Sequence, residues 1–125
     1  MSYHGDISLG STIDIHFTTR KSTGVPTALA SGVVVAYVGN GTSPVTAGIT
    51  LSTSVGSVVG YNNVRGVATT ANGFASATDV SFVISVGTVD SISVVGEQVG
   101  SFSIDNRSSL RPTTAGRTLD VSAGG

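Results

Sequence analysis

The sequence predicts an all-β fold: an Ig-like antiparallel β-sandwich of about seven or eight strands, followed by an extended C-terminal arm. Three observations lead there. Gly, Ser, Thr and Val dominate the chain, and β-branched side chains pack well on pleated sheets while losing rotamer freedom in helices. The 17 glycines among 125 residues damage helices but suit turns and bulges. Apolar residues alternate with polar ones in short runs between turn signals, and no helical period is sustained from Met1 to Ile104.

The elements follow in chain order. Ser8 to Thr19 reads as a strand, with Ile13, Ile15 and Phe17 on one face and Thr12, Asp14, His16 and Thr18 on the other. Arg20 to Pro26 is a polar loop, and Pro26 forces Val25 to be extended. Gly32 to Val38 is a continuous apolar run, the pattern of a strand buried on both faces and central in its sheet. Gly39-Asn40-Gly41 ends it with a turn signal. Gly48 to Val55 places Ile49, Leu51 and Val55 inward. Val58 to Ala68 is another strand, interrupted at Gly60 and at Asn62-Asn63. Thr69 to Thr78 is a connection, with a helical turn at Ala75 to Ala77. Val80, Phe82, Ile84 and Val86 alternate through the next strand. Gly87 and Asp90 bracket a tight turn, Ser91 to Val95 forms a short strand, and Val99 to Ile104 closes the sandwich with a bulge at Gly100.

From Asp105 the texture changes. Residues 1–105 form the sandwich domain and 106–125 an arm or linker. The arm carries Arg107, Arg111 and Arg117, three of the six basic residues. Its apolar residues include Leu119 and Val121, and it has no core pattern of its own.

The composition narrows the function. Only 10% of residues are charged, against a usual share of about 25%, and the formal net charge is −1. No basic field exists to attract nucleic acid, and no aromatics are interleaved with the cations as single-strand binders require. The longest apolar stretch is too short to span a bilayer, so no membrane partner is expected. The absence of cysteine removes disulfides and thiolate metal sites. The start of the chain lacks a basic segment followed by an apolar one, so synthesis in the cytoplasm is expected.

The residues that could carry chemistry are sparse. His4 lies near Asp6 and His16 near Asp14, without a third ligand at metal-binding spacing. No two carboxylates stand in the Asp-x-Asp arrangement of calcium loops. No Gly-x-Ser-x-Gly elbow occurs. The glycine-rich stretches precede no helix whose N-terminus could cradle phosphate. The chain is therefore expected not to be an enzyme, with no catalytic residues, no cofactor and no metal. Two candidate binding sets remain. Tyr61, Asn62, Asn63 and Arg65 form a possible glycan patch, against the competing reading of Tyr61 as an ordinary sheet or core residue. Arg107, Arg111, Arg117 and Leu119 form a possible partner-binding arm, because Arg makes bidentate pairs with carboxylates. Met1 to Asp6 is expected to be a second contact arm.

Two stretches carry a family resemblance. The first runs from Gly10 through Leu51, with Gly10-Ser11-Thr12-Ile13-Asp14-Ile15-His16-Phe17-Thr18-Thr19-Arg20, Thr23-Gly24-Val25-Pro26-Thr27-Ala28-Leu29 and Ala47-Gly48-Ile49-Thr50-Leu51. The second runs from Gly87-Thr88-Val89 through Arg107, with Val94-Val95-Gly96 and Gly100-Ser101-Phe102-Ser103-Ile104. Together they resemble the Ig-like N-terminal domain of tail-fibre and upper-baseplate proteins of tailed bacteriophages. Leu110-Arg111-Pro112-Thr113-Thr114-Ala115-Gly116-Arg117-Thr118-Leu119-Asp120-Val121-Ser122 is similar to the linker that follows that domain in longer fibre-like proteins. The resemblance implies a virion structural protein, an adaptor of the tail, baseplate, neck or fibre, with other virion proteins as partners and self-association into a homo-oligomer. It transfers no catalytic residue. Two alternatives stay open: a capsid decoration or head-fibre protein, and a host-adhesion module binding a surface glycan.

Overall fold

The computed structural model describes residues 3–105. Eight strands occur in that span: β1 (Tyr3–Ile7), β2 (Thr12–Thr18), β3 (Leu29–Val38), β4 (Ile49–Ser52), β5 (Tyr61–Val67), β6 (Thr78–Val89), β7 (Ile92–Ser93) and β8 (Gln98–Ile104). They form two sheets, one of five strands in the order β1-β8-β6-β3 with β7 on the end of β6, the other of three in the order β2-β5-β4. The sheets pack face to face, and the fold is an all-β sandwich, as the sequence predicts.

The core lies between them. The five-stranded sheet contributes Val34 and Ala36 from β3, Val80, Phe82, Ile84 and Val89 from β6, and Phe102 and Ile104 from β8. The three-stranded sheet contributes Ile13 and Ile15 from β2 and Val64 from β5. Phe82 and Phe102 meet at 5.4 Å between ring centroids with planes tilted by 56°, the offset geometry that aromatic quadrupoles favour. Two glycines set the spacing of the sheets. A Cβ on Gly66 would lie 2.7 Å from Cζ of Phe82, and one on Gly100 would lie 2.8 Å from Cγ2 of Ile15.

Several elements differ from expectation. Tyr3–Ile7, expected as part of a contact arm, is a strand pairing parallel to β8. The Tyr3 hydroxyl and Ser103 Oγ lie 2.6 Å apart, and Ser103 Oγ donates to Asp6 Oδ1 at 2.6 Å. Since the single Ser103 proton goes to Asp6, Tyr3 donates in its turn, and the three groups clamp β1 to β8.

β3 is an edge strand of its sheet, not a central one. Its apolar run is explained by Val35, which is buried although it lies outside the core cluster, and by Val45, which bridges Ala36 along the outer side. Asn62-Asn63 does not interrupt β5, which pairs with β2 in continuous register. The helical turn falls at Thr70–Asn72 rather than Ala75 to Ala77, with the Thr69 side chain capping the Asn72 N–H. The β6–β7 turn is a two-residue hairpin loop between Val89 and Ile92, and both Asp90 and Ser91 have positive φ, 51° and 65°, the backbone of a type I′ turn.

Candidate functional site

β2 and β5 build the site. Their register sets Thr12 opposite Val67, Asp14 opposite Arg65, His16 opposite Asn63 and Thr18 opposite Tyr61. These residues share the solvent face of the three-stranded sheet, because side chains alternate along each strand and Ile13, Ile15 and Val64 take the inner face. β4 extends the row, with Thr50 opposite Arg65 and Ser52 opposite Asn63.

Two fixed features mark this face. Arg65 grips Asp14 in a bidentate pair, its Nε donating to Oδ1 at 2.8 Å and its Nη2 to Oδ2 at 3.2 Å. Asn63 Nδ2 adds a third bond to the same Oδ1 at 3.2 Å. The Arg65 and Asn63 hydrogen bonds hold the Asp14 carboxyl below the ordinary carboxylate value, and Asp14 in turn raises the Arg65 guanidinium. Beside this pair the His16 and Tyr61 rings stack in parallel, 5.4 Å between centroids with planes 5° apart. The face therefore presents an aromatic platform next to a locked ion pair and a row of hydroxyls and amides.

Of the expected glycan patch, Tyr61, Asn63 and Arg65 lie together on this face. Asn62 does not. It is fully buried, since it shares the inward parity of Val64. Its Nδ2 donates to Thr19 Oγ1 at 3.2 Å and to the Gly60 carbonyl at 3.3 Å, and Thr19 Oγ1 donates to the Thr27 carbonyl at 2.6 Å. Asn62 thus ties the ends of β2 and β5 to the β2–β3 loop, an interior role. Asp14 and His16 belong to the face without having been assigned to the patch. The outward parity of β2 was legible, but which β5 residues it faces is a matter of strand register. Arg107, Arg111, Arg117 and Leu119 lie outside the described residues.

A groove opens beside this face. It encloses about 480 Å³ between the end of β2 and the facing sheet. Phe17, Ile84, Val89, Val94 and Val99 supply its apolar lining, and Arg20 and Glu97 stand among its polar residues. Among the described residues no cluster of three or more His, Asp or Glu side chains could hold a metal, and no helix is long and apolar enough to cross a membrane.

The fold and the site define a β-sandwich with one polar, aromatic-bearing sheet face and a groove along its edge. No protein-family model, curated protein or solved structure matches the chain.

Proposed function

We propose that the chain is a non-enzymatic structural protein of a tailed-bacteriophage virion, an adaptor of the tail, baseplate, neck or fibre that docks through its C-terminal arm. The resemblance of Gly10–Leu51 and Gly87–Arg107 to Ig-like domains of phage tail proteins supports this reading. In the fold these two stretches contain β2, β3 and β4 and then the end of β6 through β8.

The observation that carries the non-enzymatic part is the state of the charged groups on the exposed face. Asp14 is bound by three hydrogen bonds that favour its ionised form, so it is set against taking up a proton near neutral pH. Arg65 is engaged by the same carboxylate, and the His16 ring is stacked on Tyr61. This cluster of charged and aromatic side chains is committed to holding a surface in one shape. A pre-formed, rigid surface suits recognition, because little side-chain entropy is lost when a partner docks.

Quantitative mass spectrometry of purified particles of a phage encoding this chain tests the reading. A few to a few tens of copies per particle, far below the major capsid protein, is the expected result. A copy number near that of the capsid protein would move the protein to the capsid surface, as a decoration or head-fibre protein. Absence from the particle would overturn the virion reading.

A second reading, a glycan-binding adhesion module, draws on the His16–Tyr61 platform flanked by Asn63 and Arg65, since sugars stack on aromatic faces and bond to amides and guanidinium groups. It predicts glycan-array binding that Tyr61→Ala abolishes while the melting temperature stays unchanged.

A further inference from the structure

The chain contains two Asn-Gly pairs, Asn40-Gly41 and Asn72-Gly73. An Asn followed by Gly is open to attack by its own backbone. A glycine carries no Cβ to keep its nitrogen away from the side-chain carbonyl carbon before it. By local sequence the two pairs are chemical equals, and the fold makes them different.

Asn72 is held on every side. Its Nδ2 donates to the Val67 carbonyl at 2.9 Å, and its backbone N–H donates to the Thr69 carbonyl at 3.1 Å. The Gly73 N–H is engaged by the Thr70 carbonyl at 3.0 Å, and the Phe74 N–H by the Thr69 carbonyl at 3.1 Å. Phe74 itself is buried in the core. The Asn72 amide also packs so closely on Gly48 that a Cβ there would collide with it. Bringing Asn72 Cγ onto the Gly73 nitrogen would withdraw the side chain from Val67, open the Thr70–Asn72 turn and pull on a core ring.

Asn40 has none of these restraints. Residues 40–44 are all exposed, and the Asn40 side chain makes no hydrogen bond to any described residue. The turn is anchored before it, where the Gly39 N–H donates to the Asp79 carbonyl at 2.7 Å. Past that anchor, the bond from the Gly41 N–H to the Val38 carbonyl at 3.0 Å closes the turn. Opening that bond releases the Gly41 nitrogen without disturbing the core, a local event of low cost.

We propose that Asn40-Gly41 is a site of spontaneous covalent modification, at which the folded protein loses the Asn40 side-chain amide as ammonia while Asn72 keeps its own. The Gly41 backbone nitrogen gives its proton to solvent and attacks Asn40 Cγ. The new N–Cγ bond closes a cyclic imide, the Cγ–Nδ2 bond breaks, and Nδ2 takes a proton from water and leaves as ammonia. Water then adds to either imide carbonyl, and the ring C–N bond at that carbon breaks. Cleavage at Cγ restores the ordinary backbone with a carboxylate side chain. Cleavage at the backbone carbonyl carbon leaves the chain running through Cγ, an isoaspartyl link longer by a methylene. Water is the co-reactant, and nothing is oxidised or reduced.

The place of the turn gives the reaction a consequence. Beyond it Val45 pairs with Ala36 on the free edge of β3, with N–H to carbonyl bonds of 2.9 and 2.7 Å. A longer backbone and a new negative charge at position 40 loosen this cover and bare a strand edge to further pairing.

The test incubates the full chain in warm, mildly alkaline buffer, folded and in urea. Peptide mapping with electron-transfer fragmentation follows each pair and tells isoaspartyl from aspartyl. In urea the two pairs should react at similar rates. In the folded protein Asn40 should react at least about tenfold faster than Asn72, because more hydrogen bonds must open at Asn72. Asn40→Gln should remove nearly all of the product formed by the folded protein, since the longer side chain closes a larger and slower ring. Asn72→Gln should leave that product unchanged. The Ala36 amide should exchange faster in aged protein than in fresh protein. Equal rates at the two pairs in the folded protein would overturn the proposal. So would a folded Asn40 as inert as Asn72 while the unfolded chain reacts at both. An isoaspartyl product with the Ala36 amide still protected would overturn the loosening of the β3 edge. The reaction needs no partner, so absence of the chain from phage particles would overturn the virion reading and leave this site standing.

Discussion

The two sheets are built for different work. The five-stranded sheet is irregular. It mixes parallel and antiparallel pairing, and its register shifts in β1–β8, β3–β6 and β6–β8. It nevertheless supplies most of the buried apolar side chains, including Phe82 and Phe102. The three-stranded sheet is regular throughout, contributes few large core residues, and turns polar and aromatic groups outward. Bulges let one sheet bend its side chains into a core. Unbroken register lets the other hold Asp14 to Arg65 and His16 to Tyr61 at fixed separations. The buried apolar side chains are concentrated in the first sheet and the polar, aromatic-bearing face lies on the second.

Replacing Phe82 tests this division with the largest expected effect. Its ring is fully buried, faces Phe102, and reaches across to Gly66 of the opposite sheet. Phe82→Ala should destabilise the fold by about 3–5 kcal/mol, the usual range for such a cavity, measured by urea denaturation. Gly66→Ala should cost about 1–3 kcal/mol by overpacking. In the Phe82→Ala background that second cost should vanish, because the new methyl enters the cavity. Additive penalties would show that the sheets do not meet at this point.

Much of the fold was legible in the sequence. The alternation through Thr12–Thr18 and Val80–Ile84 gave both the strands and their buried faces, because period two is a local property. Turn residues located most of the breaks. What failed was decided by partners. Tyr3–Ile7 has one aliphatic residue and a glycine, and becomes a strand through β8 and the Tyr3–Ser103–Asp6 clamp. β3 looks central because Val35 is buried as well as Val34 and Ala36, and Val45 bridges its open edge at Ala36. Asn62 lay within reach of correct reading, since it shares the parity of Val64, but Asn-Asn reads locally as a turn. The Asp14–Arg65 pair spans 51 positions and depends on a register that no local pattern encodes. The groove is lined from both sheets by residues far apart in the chain, so it has no sequence signature.

A smaller effect separates backbone from side-chain causes within the five-stranded sheet. Ser91 sits at φ 65° in the β6–β7 turn, where a residue with a Cβ carries a strain of roughly 1–2 kcal/mol. Ser91→Gly removes that strain, partly offset by the greater chain entropy of glycine when unfolded. The expected net gain is about 1 kcal/mol, seen as a rise of several degrees in melting temperature. A loss of stability instead would mean that the serine side chain, and not the left-handed backbone, holds the hairpin.

The smallest expected effect belongs to the polar face. Asp14 has its pKa lowered from 3.8 by the hydrogen bonds from Arg65 and then Asn63. A group whose folded pKa is depressed contributes stability above its unfolded pKa and loses that contribution as pH falls through the folded value. Arg65→Gln removes the larger of the two causes. The variant should be slightly less stable than the parent near neutral pH, and the gap should close as pH falls below the ordinary Asp range. Because both side chains are solvent-exposed, added salt should narrow the gap too. Urea titrations of the two proteins at neutral and acidic pH, each at low and high salt, read this directly. A gap that persists in acid would assign the loss to packing of the Arg65 side chain along the sheet and not to its charge. The polar face would then share in the structural work that the comparison gives to the other sheet.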